Sequence, residues 1–406
     1  MIFLKRFGLV CIIAADASCN IPETREGLTG RGTTTIEPSR TDLTTTAIYE
    51  EVTGNVVEQY QESNETPYGD PPGFDLHRAA WRGQLETVRS LIEEGADPHD
   101  VGYMDISPLM AAVHSGNLEL VVLIVGQGVD VNESGTPCRN SPLIMAIENG
   151  NLEMVKCLID NGANVNQARR DGYSPLMATA RVELVDVLIS AGAVIDQADN
   201  RGRTALIIGV ELNRLDIVSR LIEAGADISH TTQDGRTSLM MAAWFSRVDI
   251  LNRLIQAGAD VSRTLLYGRD ALMMAAGFGF VDVVNSLIDA GADVAHTTRD
   301  GETALMMAAS RGHVDVVNSL IGAGADVDRT MPDGETALII ATRSGNLCVV
   351  NTLIDAGADV AHTTLDGRTA LSVVENQLAR TSRYPQLQVT PRAILEALTQ
   401  LRYFLK

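Results

Sequence analysis

Along most of this chain, apolar residues fall at helical spacing in short runs that stop and restart at glycine. In the stretch DGETALMMAASRGHVDVVNSLIGAGADV, from Asp300 to Val327, Leu305, Met306, Ala308 and Ala309 make one run. Val314, Val317, Leu320 and Ile321 make a second. The spacing predicts two amphipathic helices. Thr303 stands where a hydroxyl can accept from the free amides of the first helix, and Gly312 and Gly324 stand where a left-handed residue ends each helix. Helices this short are marginal alone in water, so each pair needs neighbours.

The chain supplies them. Gly225, Gly258, Gly291, Gly324 and Gly357 follow one another at intervals of 33 residues. A 33-residue period with a helix–turn–helix unit resembles the ankyrin repeat. The resemblance implies an all-α repeat solenoid, in which stacked antiparallel helix pairs alternate with projecting β-hairpin-like loops. About ten repeats fit within residues 73–406, with a capping first repeat at 73–97 and a capping last repeat at 366–406. Phe74-Asp75-Leu76-His77-Arg78-Ala79-Ala80 opens the first. Ser107-Pro108-Leu109, Ser141-Pro142-Leu143 and Ser174-Pro175-Leu176 open the next three, each with a capping hydroxyl before a proline at the first helical position. Thr204, Thr237, Thr303, Thr336 and Thr369 keep the cap, and Asp270 takes it in the seventh repeat.

Only His77 keeps the family's helix histidine; Met110, Ile144, Met177, Ile207, Met240, Met273, Met306 and Ile339 stand in its place and are expected to pack. Asp171-Gly172, Asp234-Gly235, Asp300-Gly301, Asp333-Gly334 and Asp366-Gly367 mark tight turns. LIDAGADVAHTT occurs at 287–298 and again at 353–364, copies 66 residues apart that suggest duplication of repeats in pairs. Gly162 to Gly192 spans only 30 residues, which predicts a shortened first helix there. After Leu371 there is extra length, and Thr390-Pro391 opens a last helix carrying Ile394, Leu395, Leu398 and Leu401.

The N-terminus reads differently. Residues 1–17 pair Lys5 and Arg6 with an apolar run and an Ala15-Asp16-Ala17 cleavage pattern, so they read as a signal peptide for a secreted or periplasmic protein. Lipid anchoring at Cys19 and a cytoplasmic N-terminus are the alternatives. The apolar run is too short to span a bilayer, so no membrane insertion of the mature chain is expected. Residues 18–72 have no sustained apolar period and read as a Thr-rich tether, with a weak helical pattern from Ala47 to Tyr60 and a glycosylation-type tripeptide at Asn64-Glu65-Thr66.

Composition narrows the function. The 406 residues carry a formal net charge of -20, which argues against nucleic acid as a partner. The five cysteines, Cys11, Cys19, Cys138, Cys157 and Cys348, match no zinc or redox spacing, although a bond between Cys138 and Cys157 is conceivable. No metalloprotease, phosphate-loop or nucleophile-turn motif is present, so no enzyme, cofactor or metal is expected. Asp227, Asp260, Asp293 and Asp326 recur with the period and read as turn residues.

Two patterns stand out as candidate sites. His230, Arg263, His296, Arg329 and His362 each lie five residues after a repeat glycine and form a cationic row. The resemblance implies repeats stacked about 10 Å apart, which keeps neighbours too far apart to share a metal. The row reads either as side chains packed over adjacent turns or as an anion-facing rail partly switched by His protonation. The second pattern is aromatic. Trp81-Arg82, Trp244-Phe245, Phe278 and Arg311 lie at ends of first helices, where the resemblance implies a partner-binding groove, and Tyr267 lies on a loop between them. Rings of this kind dominate binding hot spots. The expectation is a monomeric, non-enzymatic scaffold that binds a protein partner. The alternatives are an acidic inhibitor or immunity-like protein that masks a basic partner, and a structural spacer.

Overall fold

A computed structural model of the chain describes residues 74–101, 106–135, 140–380 and 395. The signal-like segment, the tether, Cys138 with its conceivable bond to Cys157, and the last helix expected after Thr390 lie outside the described residues. The chain divides into two compact units, residues 1–194 and 195–406.

Unit 1 contains α1 (Phe74–Trp81), α2 (Leu85–Glu93), α3 (Pro108–Ser115), α4 (Leu118–Val125), α5 (Pro142–Glu148), α6 (Leu152–Asp160) and α7 (Val182–Ser190). Unit 2 contains α8 (Ala205–Glu211), α9 (Leu215–Glu223), α10 (Ser238–Trp244), α11 (Val248–Gln256), α12 (Ala271–Phe278), α13 (Val281–Asp289), α14 (Ala304–Arg311), α15 (Val314–Gly322), α16 (Ala337–Ser344), α17 (Leu347–Asp355) and α18 (Ala370–Arg380). Within each unit, first helices pack on first helices of adjacent repeats and second helices on second. Each unit is therefore an all-α solenoid, and no strand longer than a single β-bridge occurs among the described residues.

The two helices of a pair bury differently. Ala304 to Ala309 of α14 are six consecutive buried residues, whereas α15 buries only Val316, Val317 and Leu320. First helices are enclosed on nearly every side, and second helices turn one stripe inward. The residues standing in place of the helix histidine, from Met110 to Ile339, are all buried. Each predicted hydroxyl or carboxylate cap except Ser174 closes a helix. The Met306 amide donates to Thr303 Oγ1 at 3.2 Å, the Ile144 amide to Ser141 Oγ at 3.3 Å and the Met273 amide to Asp270 Oδ1 at 2.8 Å.

The short repeat departs further from the pattern than its spacing suggested. Ser174 still accepts from the Met177 amide at 3.4 Å, but Pro175–Ala178 form a turn rather than a shortened helix. The missing residues leave too little chain between Ser174 and α7 for a ladder of i→i−4 bonds.

The Asp-Gly turns form as expected. Gly235, Gly301, Gly334 and Gly367 each donate three residues back, at 2.8–2.9 Å, with positive φ. Asp227, Asp260, Asp293 and Asp326 accept amides two residues ahead at 2.8–3.0 Å, which makes them turn residues.

Asp270 is the one acidic cap in a buried setting, and burial raises its carboxyl above the ordinary 3.8. The folded chain then holds this proton more tightly than the unfolded chain. The contribution to stability is full at low pH and is lost as pH rises from about the unfolded value through the higher folded one. Asp270→Thr restores the hydroxyl cap of the other repeats. It is expected to raise the urea midpoint at pH 7 and to flatten that part of the pH dependence. Thr303→Ala removes a cap outright and should cost about 1 kcal/mol in the same measurement.

Candidate partner-binding surface

In several repeats, the residue before the cap of the first helix reaches across that helix to a side chain eight positions on. Arg203 pairs with Glu211 at 3.0 Å, and Glu335 pairs with Arg343. At the same positions of α10, the Arg236 guanidinium lies over the Trp244 ring, 4.8 Å from its centroid. Trp244 thus takes a slot in which other repeats place a charge. The two following slots hold small residues, Gly277 and Ser310.

An aromatic cluster grows from this point. Phe278, at the end of α12, meets Trp244 edge-on, with centroids 4.7 Å apart and planes at 81°. Phe280 stacks on Phe278 at 5.6 Å. Arg311 lies 5.3 Å from the Phe278 centroid, and its Nη1 donates to the Gly277 carbonyl at 2.7 Å. His313 Nε2 donates to the same carbonyl at 3.2 Å. Phe245 is 37% exposed, with Arg247 6.0 Å from its ring centroid.

The turn between the two helices of a repeat is where this region departs from the rest of the chain. Elsewhere a polar side chain ties the turn to the preceding repeat: Asn117 donates to the Gly83 carbonyl at 3.0 Å, and Asn346 to that of Ala309 at 2.8 Å. Arg247 and Phe280 occupy the same position in their repeats and make no such bond among the described residues, nor do they cap α11 or α13. The Nε of Arg247 is buried without a partner. Ser246 holds φ 56°, in the left-handed region that Gly116 and Gly345 occupy elsewhere and that Asn213, at φ 57°, shares one repeat earlier. A non-glycine residue there costs free energy.

The structure brings Trp244, Phe245, Phe278 and Arg311 together. Tyr267 stands apart: it sits on the loop tip before α12, 61% exposed at φ 76°, and its cation–ring contact is with Arg299, 5.9 Å from its centroid. Trp81 and Arg82 belong to unit 1, where Trp81 is 44% exposed and stacks on His114 at 3.8 Å. Burial lowers the pKa of that imidazole. Arg236, Arg247, Phe280 and His313 escaped the sequence reading. Their signal is a departure from the Asn and Gly of neighbouring repeats at matched positions.

The cationic row divides into two kinds of residue. His230, His296 and His362 each donate from Nε2 to a carbonyl 28 residues back, on Gly202, Gly268 and Gly334, at 2.9–3.0 Å. At the same three steps the loop tips join directly. The amides of Gln233, Arg299 and Leu365 donate to the carbonyls of Arg201, Tyr267 and Asp333 at 3.0 Å. A Cβ on Gly202 or Gly334 would come within 2.9 Å of the next tip's backbone. The intervening steps carry exposed Arg263 and Arg329 and, among the described residues, no tip-to-tip bond; at one of them Pro332 has no amide hydrogen to give. The histidines are therefore clamps that join loop tips two by two.

Among the described residues, no group of three His, Cys, Asp or Glu side chains could hold a metal, and no helix is long and apolar enough to cross a membrane.

Stacked helix pairs with variable ends and projecting tips define the class of helical repeat scaffolds. A family model described as ankyrin repeats in three copies matches residues 76–169, 109–199, 143–232, 176–265 and 272–364. The chain belongs to the ankyrin repeat family, whose repeats are generally protein–protein interaction modules.

The clamps predict a pattern of amide exchange. In His296→Ala, the Arg299 amide should exchange faster while those of Gln233 and Leu365 keep their protection. The lost bond should cost about 1 kcal/mol, read by hydrogen exchange and urea unfolding.

Proposed function

We propose that the protein is a non-enzymatic scaffold that holds a protein partner at the aromatic surface of unit 2. The observation that carries this reading is the Trp244–Phe278–Phe280 cluster with Phe245 beside it, at turns where the polar ties of other repeats are gone. Half-exposed rings braced by neighbouring side chains lose little freedom on docking, so more of their contact energy goes into affinity. Phe278 and Arg311 fix the Trp244 face, and Phe245 extends it. Tyr267 on the loop tip supplies a second, separate contact, and Trp81 with Arg82 offers one on unit 1. The protein acts as a monomer, exported through its signal-like first 17 residues.

The net charge of -20 favours one second reading, in which acidic faces mask a basic partner. Salt separates the two: affinity held by rings changes little with ionic strength, whereas affinity held by surface charge falls steeply.

The direct test compares Trp244→Ala with the unaltered chain for capture of a partner and then for affinity. A loss of about 2 kcal/mol, roughly 30-fold in Kd, is expected of a central aromatic anchor. Unchanged affinity would remove the cluster from the interface.

A further inference from the structure

We propose that unit 2 contains a hinge between the repeat of α10 and α11 and the repeat of α12 and α13, and that the Trp244–Phe278 ring contact is its latch. The hinge goes beyond the docking reading above and does not depend on it.

The other steps of unit 2 are tied by directional polar bonds. At the step before, His230 reaches the Gly202 carbonyl at 3.0 Å, the Gln233 amide reaches that of Arg201 at 3.0 Å, and Gln233 Nε2 that of Asn200 at 2.6 Å. At the step after, His296 reaches the Gly268 carbonyl at 2.9 Å and the Arg299 amide that of Tyr267 at 3.0 Å. Arg311 and His313 there both reach the Gly277 carbonyl, at 2.7 and 3.2 Å. Further along, Asn346 donates to the Ala309 and Ser310 carbonyls at 2.8 and 3.0 Å, and Gln377 to that of Arg343 at 2.6 Å. Among the described residues, no hydrogen bond or ion pair joins residues 228–258 to residues 263–293.

The sequence shows how each tie is lost. Arg263 stands where the clamps carry histidine. The Leu266 amide, in the place of those of Gln233 and Arg299, donates to no neighbouring tip. Phe278 replaces the donor that Arg311 and Gln377 supply, and Phe280 the one that His313 and Asn346 supply. Core packing remains, with Met240, Met241, Met273 and Met274 all buried. Apolar contact is non-directional and keeps two faces together over a range of angles. A hydrogen bond weakens steeply as it leaves its line. The two repeats therefore stay in contact while the angle between them is weakly held, and in a stack of nearest-neighbour steps bending collects at the least constrained one. Trp244 and Phe278 meet edge-on across this step, 4.7 Å between centroids, an arrangement with its own preferred geometry. On the docking reading, a partner seated on both rings would fix the angle of the step.

The test measures spin-label distances in the full chain, with cysteines not used for labelling changed to serine. Asp249→Cys with Asp315→Cys spans the hinge and the step after it. Asp282→Cys with the native Cys348 spans that later step and the next one. All four positions are exposed and equivalent on successive second helices. The 249–315 distance distribution should be the broader of the two. Arg263→His puts an imidazole 28 residues after Gly235, the offset of the three clamps, and Phe280→Asn supplies the tie that Asn346 makes. Either should narrow the 249–315 distribution to the width of the other pair. Trp244→Ala should broaden it further, and Arg263→His should reverse that broadening. Equal widths for the two pairs would overturn the hinge, and so would a breadth that neither restoring variant reduces. A width unchanged by Trp244→Ala would remove the latch. Urea midpoints taken in parallel check that each variant is folded. Equal widths combined with weakened partner binding in Trp244→Ala would sink the hinge and keep the docking reading.

Discussion

No helix among the described residues can bury its apolar surface by itself, and that constraint decides where function can reside. Helices of seven to eleven residues lie below the length at which an isolated helix holds together in water. Stability therefore comes from layers: Leu305, Met306, Ala308 and Ala309 of one first helix lie against their counterparts in the next. Because six residues in a row are buried on α14, the middle of a first helix has no free face to vary. On a first helix, variation is left to its ends, to the turn behind it and to the loop tip before it. Trp244, Phe245, Phe278, Phe280 and Tyr267 all stand at such positions.

The same constraint gives the loop edge its own mechanics. In a stack where each repeat touches only its neighbours, stiffness is a sum of individual steps. Steps that carry both a histidine clamp and a tip-to-tip amide bond, as at Gly202, Gly268 and Gly334, are held at two points on the loop edge. The alternate steps are held on that edge by side-chain packing, as where the Pro332 ring closes on Gly301. The 66-residue recurrence of LIDAGADVAHTT has the same period as the clamps. Duplication in pairs thus left a physical alternation along the loop edge of unit 2, with bonded steps separated by steps without such bonds.

What could be read from the sequence was whatever a single repeat determines. Caps such as Thr303 and Asp270, left-handed glycines such as Gly312 and the buried Met and Ile at the histidine position all follow from local pattern, and each forms as expected. Relations between repeats were not legible to the same degree. The spacing found His230, His296 and His362, but it could not show that each ring reaches back 28 residues to a carbonyl. Tyr267 was grouped with Trp244 and Phe278 by proximity in sequence. In fact it precedes the cap of α12 while Phe278 ends that helix, and eight residues at 1.5 Å each put about 12 Å between the two ends. The 30-residue spacing predicted a shorter helix. What forms is a single turn, in which the Ala178 amide reaches the Ser174 carbonyl at 3.3 Å and no second i→i−4 bond extends it.

The placing of arginines on rings also follows from charge and from burial together. Lysine would offer a hydrated point charge, whereas a guanidinium can lie flat on a ring and leave its donors at the rim. On a protein with 52 acidic and 32 basic residues, scattered surface arginines would be drawn into ion pairs. That happens in unit 2 to Arg203 with Asp199 and Glu211, and to Arg343 and Arg368 with Glu335. Arg247 and Arg299 instead lie beside rings, 6.0 Å from the Phe245 centroid and 5.9 Å from that of Tyr267. The rings do more than offer apolar area. They hold Arg236, Arg247, Arg299 and Arg311 beside flat faces, so that on an acidic molecule these positive groups have fixed places next to apolar surface.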